Sequence, residues 1–379
     1  MAAALLQQPC GGLPPDGGPV CLLAEGLAGA EDHDGPPAVL VAGGRVRAVG
    51  QAALNAGARR LPLPGLWLAP APLDAHVHLH LGGRAADNLE RTLMAGVAAV
   101  RDLGHKPGLA TPQGPRHAPP WVVGSGPGLG AAGPAGSWLA EPLAGPESFA
   151  QAAWDRARAG AGVVKLFATG LLDFENPGVV IHPQAVGPAE LAAAARAGQE
   201  AGLKVAVHAN GPEAVAAALA AGVDSIEHGY FMGPELLARL AESRVAWTPT
   251  VAAVAAHAAD PEGRHSPRVR GFLRQILDGQ LEALRRAEHL GVDLVLGTDA
   301  GSYGLEHGAA VFQEMACWLE AGLNPATVFR AATRRAAALM GFAGVLGEIV
   351  PGARAWLLGL PGDPRQDPRL MARPRWRSF

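Results

Sequence analysis

The chain has 379 residues, a net charge of −3, and 49% apolar against 17% charged residues. That composition supports a large buried core and argues against disorder, and scattered Arg residues without a basic tract exclude the usual nucleic-acid footprint. Three cysteines (Cys10, Cys21 and Cys317) at no metal-like spacing argue against a disulfide framework and fit a reducing cytoplasm.

The N-terminus lacks the basic start and sustained apolar stretch of a secretory leader, and no apolar run approaches the ~20 residues of a membrane span. The expectation is a cytoplasmic protein with a small-molecule substrate and neither nucleic acid nor membrane as partner; a homo-oligomer stays open. The first ~35 residues are rich in Gly and Pro and give no clear pattern. Residues 38–69 then read as short strands with Gly turns: Ala38–Val41, Arg45–Val49 and Arg60–Pro62.

From residue 68 to 342 short apolar runs alternate with Ala-rich helical stretches. Eight strands are predicted: Leu68–His78, Val97–Leu103, Trp121–Ser125, Val163–Ala168, Lys204–Ala209, Ser225–Gly229, Ala246–Thr250 and Asp293–Thr298. Helices are predicted over Pro188–Ala201, Pro212–Ala221 and Pro234–Ser243, each opened by Gly-Pro, with Gly202, Gly222 and Gly291 as C-terminal stops. Eight strands separated by helices indicate a closed (β/α)₈ barrel of the TIM type.

Residues 343–379 return to strand character, with Ala353–Leu360 and Leu370–Trp376 as candidates. The predicted organisation is therefore a barrel over 68–342 and a small discontinuous β-sandwich shared by 1–67 and 343–379. Three long connections, 127–148, 171–184 and 252–268, follow barrel strands and are expected on the face that carries chemistry in such barrels.

The chemistry-bearing residues cluster at strand ends. His76 and His78 lie two apart on a strand and so share a face, which in a barrel can be the lumen. Lys165, His208, His228 and Asp299 each stand near the C-terminal end of a later strand, and barrel closure brings such positions to one mouth. Buried together they need partners, and a metal centre supplies them.

In these motifs the chain resembles the amidohydrolase superfamily, in particular its imidazolonepropionase-like and prolidase-like branch. The resemblance is carried by Pro-Leu-Asp-Ala-His-Val-His at 72–78, Ala-Val-Arg-Asp-Leu-Gly at 99–104 and Ser-Ile-Glu-His-Gly at 225–229. It continues in Leu-Gly-Thr-Asp-Ala-Gly at 296–301 and Gly-Glu-Ile-Val-Pro-Gly-Ala-Arg-Ala at 347–355. The resemblance implies two divalent ions, Zn²⁺ by the ligand types, although Mn²⁺, Fe²⁺ and Co²⁺ also suit such donors. His76, His78 and Asp299 would hold the more buried ion and His208 and His228 the second. Lys165, carboxylated by CO₂, would bridge them. A hydroxide between the ions would be the nucleophile, and Asp299 the general base and acid. The alternative for Lys165 is an ordinary ammonium paired with a carboxylate, leaving a mononuclear site.

The implied activity is hydrolysis of an amide C–N bond in a dipeptide or N-acyl amino acid. Cyclic-amide opening or deamination, a lactonase or esterase, and a non-catalytic binding barrel are the competing readings. Tyr230 and His307 are candidate substrate contacts, each with a bland reading as a wall residue. Arg101-Asp102 is expected to form an internal ion pair beside the site. His80 and His105 read as loop residues, His33, His117, His182, His257, His265 and His289 as ordinary histidines, and Cys317 as a small packing group. Three departures from the branch stand out: Trp356 replaces an acidic residue, the Thr169–Asn176 segment lacks a second glycine, and Gln199-Glu200 replaces Ala-His.

Overall fold

The computed structural model describes residues 12–13, 18–30, 35–112, 114, 118–133 and 137–379; Cys10, His33 and His117 lie outside them. Parallel strands form the barrel wall. One sheet pairs Leu73–Val77, Ala99–Asp102 and Trp121–Gly124 in that order. The next runs Ala140–Leu143, Gly128–Ala131, Val163–Phe167, Lys204–Ala209, Ser225–His228 and Ala246–Thr248. Gly162 N–H donates to Gly124 O (2.9 Å) across the seam between the two sheets.

The eighth wall segment, expected as the strand Asp293–Thr298, is not a regular strand. It closes the barrel through hydrogen bonds on both sides: Trp247 N to Asp293 O and Val295 N to Trp247 O on one, Ala75 N to Leu296 O and Thr298 N to His76 O on the other. The cause is Gly297, where a Cβ would stand 2.5 Å from Thr248 Cγ2 and 2.8 Å from His76 Cβ. The backbone passes too close to its neighbours there to keep a pleat.

The predicted Leu68–His78 strand is two strands. Trp67–Pro70 pairs antiparallel with Leu357–Leu360, and Leu73–Val77 starts the barrel. Pro70 and Pro72 lack the N–H needed for a continuous ladder, and only Ala71 between them donates, to Trp356 O. At the C-terminus the expected strand Leu370–Trp376 is instead a 3₁₀ turn, Pro368–Ala372, followed by the short strand Trp376–Arg377. Asp367 caps that turn by accepting from Arg369 N.

Two four-stranded sheets use both chain ends. One is ordered Arg45–Val49, Ala38–Ala42, Val20–Leu23, Arg59–Pro62, and the other Trp376–Arg377, Leu357–Leu360, Trp67–Pro70, Gly26–Leu27. Val20, Leu22, Val39, Val41, Leu68, Leu357 and Trp376 form a core between them, separate from the barrel core. Trp356 packs edge-on against Trp121 (centroids 4.7 Å), which accounts for an aromatic at that position.

The Gly-Pro helix starts hold: Pro188–Glu200, Pro212–Ala221 and Pro234–Ala241 each carry a Glu in the first turn, where the helix dipole favours it. Of the long connections, 127–148 contains two short parallel strands, and 171–184 folds back on itself through a Leu172–Val180 bridge. The third is largely not a connection: Val251–Ala259 is a helix, followed by the 24-residue helix Pro267–Leu290. Its run of Ala and Val is helix-competent once the buried Glu314 caps its first amides, Val251 N and Ala252 N. No described helix is long and apolar enough to cross a membrane.

Candidate metal centre

The mouth is built from strand ends. His76 lies in Leu73–Val77 and His78 one residue past it, both buried, and one oxygen of Asp299 stands 3.5 Å from His76 Nε2 and 3.3 Å from His78 Nε2. The donor atoms of these three residues all lie within 4.8 Å of one another, a spacing that can hold one ion. His228 and His208 continue the cluster, with ring centroids 4.9 Å from His76 to His228 and 4.5 Å from His228 to His208. Lys165 is 1% exposed and its Nζ has no hydrogen-bond partner among the described residues; the charges of Glu227 and Asp299 both act on it.

Each imidazole has its far nitrogen held. His76 Nδ1 donates to Glu227 Oε2 (2.7 Å), His78 Nδ1 to Gly104 O (2.8 Å) and His208 Nε2 to Gly170 O (3.1 Å). Carboxylate and carbonyl oxygens only accept, so the proton sits on those nitrogens and the lone pair on the other. His228 Nδ1 bonds the Thr250 hydroxyl at 2.7 Å. Burial, reinforced by the Lys165 charge, lowers His76 to about 4 and His208 to about 3; burial and the neighbouring histidines hold His228 well below its usual value. Neutral imidazoles with free lone pairs are what a cation requires.

The carboxylates respond in opposite directions. Burial pushes Asp299 up, but its contact with the imidazoles of His78, His76 and His228 outweighs that and holds the acid well below the carboxylate range. Its second oxygen accepts from Ser302 Oγ (3.0 Å). Burial dominates at Asp74 and raises it to about 7, although it accepts from His76 N, Thr298 N and Thr298 Oγ1. Asp74 thus ties the first barrel strand to the irregular eighth segment. Lys165 is lowered to about 8, chiefly by burial.

Backbone strain concentrates at the mouth. His228, Thr250 and Asp299 have φ of 68°, 47° and 61°, a region that non-glycine residues rarely occupy and β-branched ones least. Positive φ turns His228 off the alternation of its strand and towards the other imidazoles.

Arg101 does not pair with Asp102. Its Nη2 donates to Glu227 Oε1 at 2.9 Å and its Nε to Ala75 O at 2.6 Å, whereas Asp102 accepts from Leu79 N. Adjacent residues on a strand face opposite ways, so the pair read from sequence could not form across the wall. Tyr230 is buried and its hydroxyl donates to Thr250 O (3.4 Å); His307 is buried with Nε2 on Leu81 O (3.1 Å). His80 and His105 contact backbone carbonyls of the 104–110 loop. Sequence reasoning missed Glu227, Thr250 and Asp74. Glu227 and Asp74 each lie two residues from another lumen-facing polar group on their strand (Ser225 and His76), and that period-two pairing was the available signal.

The same architecture recurs in known proteins. The profile of the amidohydrolase family matches residues 64–377. The chain belongs to this family. It is a hydrolase acting on carbon–nitrogen bonds. Among relatives of this amidohydrolase, an uncharacterized protein of Mycobacterium tuberculosis is 26% identical over 319 residues, covering 82% of this chain and 83% of its own. The ochratoxinase of Aspergillus niger is 26% identical over 291 residues, covering 74% of this chain and 56% of the relative. The amidohydrolase also shares its fold with a solved Xaa-Pro dipeptidase holding methionine in its active site. That structure gives a TM-score of 0.77 at 22% identity, covering 94% of this chain and 97% of the other.

Proposed function

We propose that this amidohydrolase binds two divalent ions, zinc by ligand preference, and cleaves an acyclic amide of the dipeptide or N-acyl amino acid type. The observation that carries the reading is a pair of buried nitrogens without hydrogen bonds, His76 Nε2 and Lys165 Nζ, in a cluster that also contains His78, His208, His228 and Asp299. Buried polar atoms are nearly always satisfied, so two orphans in one cluster of donors point to a ligand.

His76, His78 and Asp299 would hold one ion and His208 and His228 the other. Lys165 would bridge them once its amine, brought to about 8 by burial, has added CO₂ to become an anionic carbamate. An ammonium would repel both cations; the carbamate offers two anionic oxygens. The bound ions would supply Lewis acidity and bring the pKa of a water towards neutrality. Asp299, fully ionised and held by Ser302, takes a proton from the attacking water and delivers it to the departing nitrogen. Glu227, Gly104, Gly170 and Thr250 keep the four rings from turning. Tyr230, whose hydroxyl donates to Thr250 O, and His307, whose Nε2 is on Leu81 O with Nδ1 left over, would be substrate contacts rather than catalytic groups.

The peptide-type substrate is supported by the company the fold keeps, the Xaa-Pro dipeptidase and the ochratoxinase. The deciding experiment measures metal per chain on protein prepared without chelator, together with intact mass under non-denaturing conditions. Two ions and the mass increment of one CO₂, followed by turnover in a panel of dipeptides and N-acyl amino acids, is the expected result. One ion without the increment moves the assignment to deamination or cyclic-amide opening.

A further inference from the structure

The four imidazoles are anchored by unequal partners. His78 and His208 donate to neutral carbonyls and His228 bonds a neutral hydroxyl, but His76 donates to a carboxylate, Glu227 Oε2 at 2.7 Å. The other oxygen of Glu227 is fully engaged, accepting from Arg101 Nη2 at 2.9 Å and Ser225 Oγ at 2.5 Å. Arg101 is fastened in turn to Ala75 O, in the strand that carries His76, and its Nη1 reaches Ser225 Oγ at 3.1 Å. His76, Glu227, Arg101 and Ser225 are each at most 1% exposed.

We infer that Glu227 is a positioning residue that strengthens His76 as a metal ligand and so makes the ion at His76, His78 and Asp299 the more tightly held of the two. The inference rests on the binuclear reading above. A carboxylate accepting the Nδ1 proton shifts electron density onto Nε2 and raises its donor strength, which a neutral carbonyl or hydroxyl does much less. Arg101 and Ser225 hold the second oxygen of Glu227 in place. With both oxygens occupied, Glu227 cannot swing out and ligate an ion itself. The Arg101–Ala75 bond also ties the relay to the strand whose position it sets.

A purely structural role, neutralising buried Arg101, would weaken both ion sites alike or neither. The test is stepwise zinc binding to metal-free protein, read by competition with a chromophoric chelator, for the wild type, Glu227→Gln and the double variant Arg101→Met/Glu227→Gln. Glu227→Gln is expected to lower affinity for the first ion by about 10–100-fold while leaving the second unchanged. The double variant leaves no unpaired buried charge, so it gives the same reading should the single variant fail to fold, and the same loss is expected. Unchanged first-ion affinity in either folded variant, equal loss at both ions, or recovery to wild-type affinity in the double variant would overturn the role of Glu227. Wild-type protein that binds one zinc removes the two-ion reading, yet the effect of Glu227→Gln on that ion still decides the relay; wild-type protein that binds none overturns both.

Discussion

Two histidine pairs stand on this face of the barrel, and they differ in one respect. His257 and His265 are bonded to each other, Nδ1 to Nε2 at 2.9 Å, and are packed by Phe174 and Tyr303. Tyr303 donates to Asp260, which also accepts the His265 backbone amide. His76 and His78 spend their Nδ1 protons on fixed acceptors and turn Nε2 towards Asp299, with His76 Nε2 making no hydrogen bond at all. Proximity of imidazoles does not define a metal site; buried ring nitrogens turned together onto one carboxylate do.

The largest effect is expected at Asp299. Asp299→Asn should lower kcat by about 10³-fold with the far-ultraviolet spectrum and melting temperature little changed, because it removes the proton carrier and spares the packing. Near-normal turnover would break the assignment of His76, His78 and Asp299 to catalysis. Next comes Lys165→Ala, which should reduce metal content and cut activity by about 100-fold, with partial recovery on adding a short carboxylic acid. Full metal content in that variant would show that the orphaned Nζ is not a bridging ligand.

A third prediction concerns the helix Val251–Ala259, which links the two regions: Thr250 at its start holds His228, and His257 lies on it. Glu314 caps its first two amides and also accepts from Trp318 Nε1. Burial raises Glu314 to about 7 despite these donors. A carboxyl raised above its unfolded value binds its proton more tightly when folded, so its contribution is complete below 4.5 and is lost as pH rises through about 7. Stability measured by urea unfolding should therefore fall over this window by an amount on the order of 2 kcal/mol, and Glu314→Gln should flatten that slope. A slope unchanged in the variant would assign it to other groups.

The smallest effect belongs to the satisfied pair. His257→Ala and His265→Ala should leave metal content unchanged and shift kcat/KM by less than about tenfold. Loss of an ion from either variant would erase the distinction between the two pairs.

Much of this was legible before folding. Strand ends marked by His76, His208, His228 and Asp299 could be read because a parallel barrel needs short apolar runs and places polar groups where they stop. Gly-Pro starts marked the helices because proline tolerates the first turn. The Arg101 partner was not legible, since Glu227 is 126 residues away and only barrel closure brings the two together. Gly297 gave no warning that the last wall segment would lose its pleat, because the crowding comes from Thr248 and His76, distant in sequence.

The amino-acid sequence by itself determined the architecture and the set of polar residues gathered at the barrel mouth, because hydrophobic periodicity and residue chemistry are local properties. Tertiary structure alone decided which histidines keep a free nitrogen, which carboxylate stands behind His76, and which backbone strains to aim His228 and Asp299. Those outcomes depend on hydrogen bonds between segments 22 to 151 residues apart, and no local pattern encodes which acceptor will be within reach.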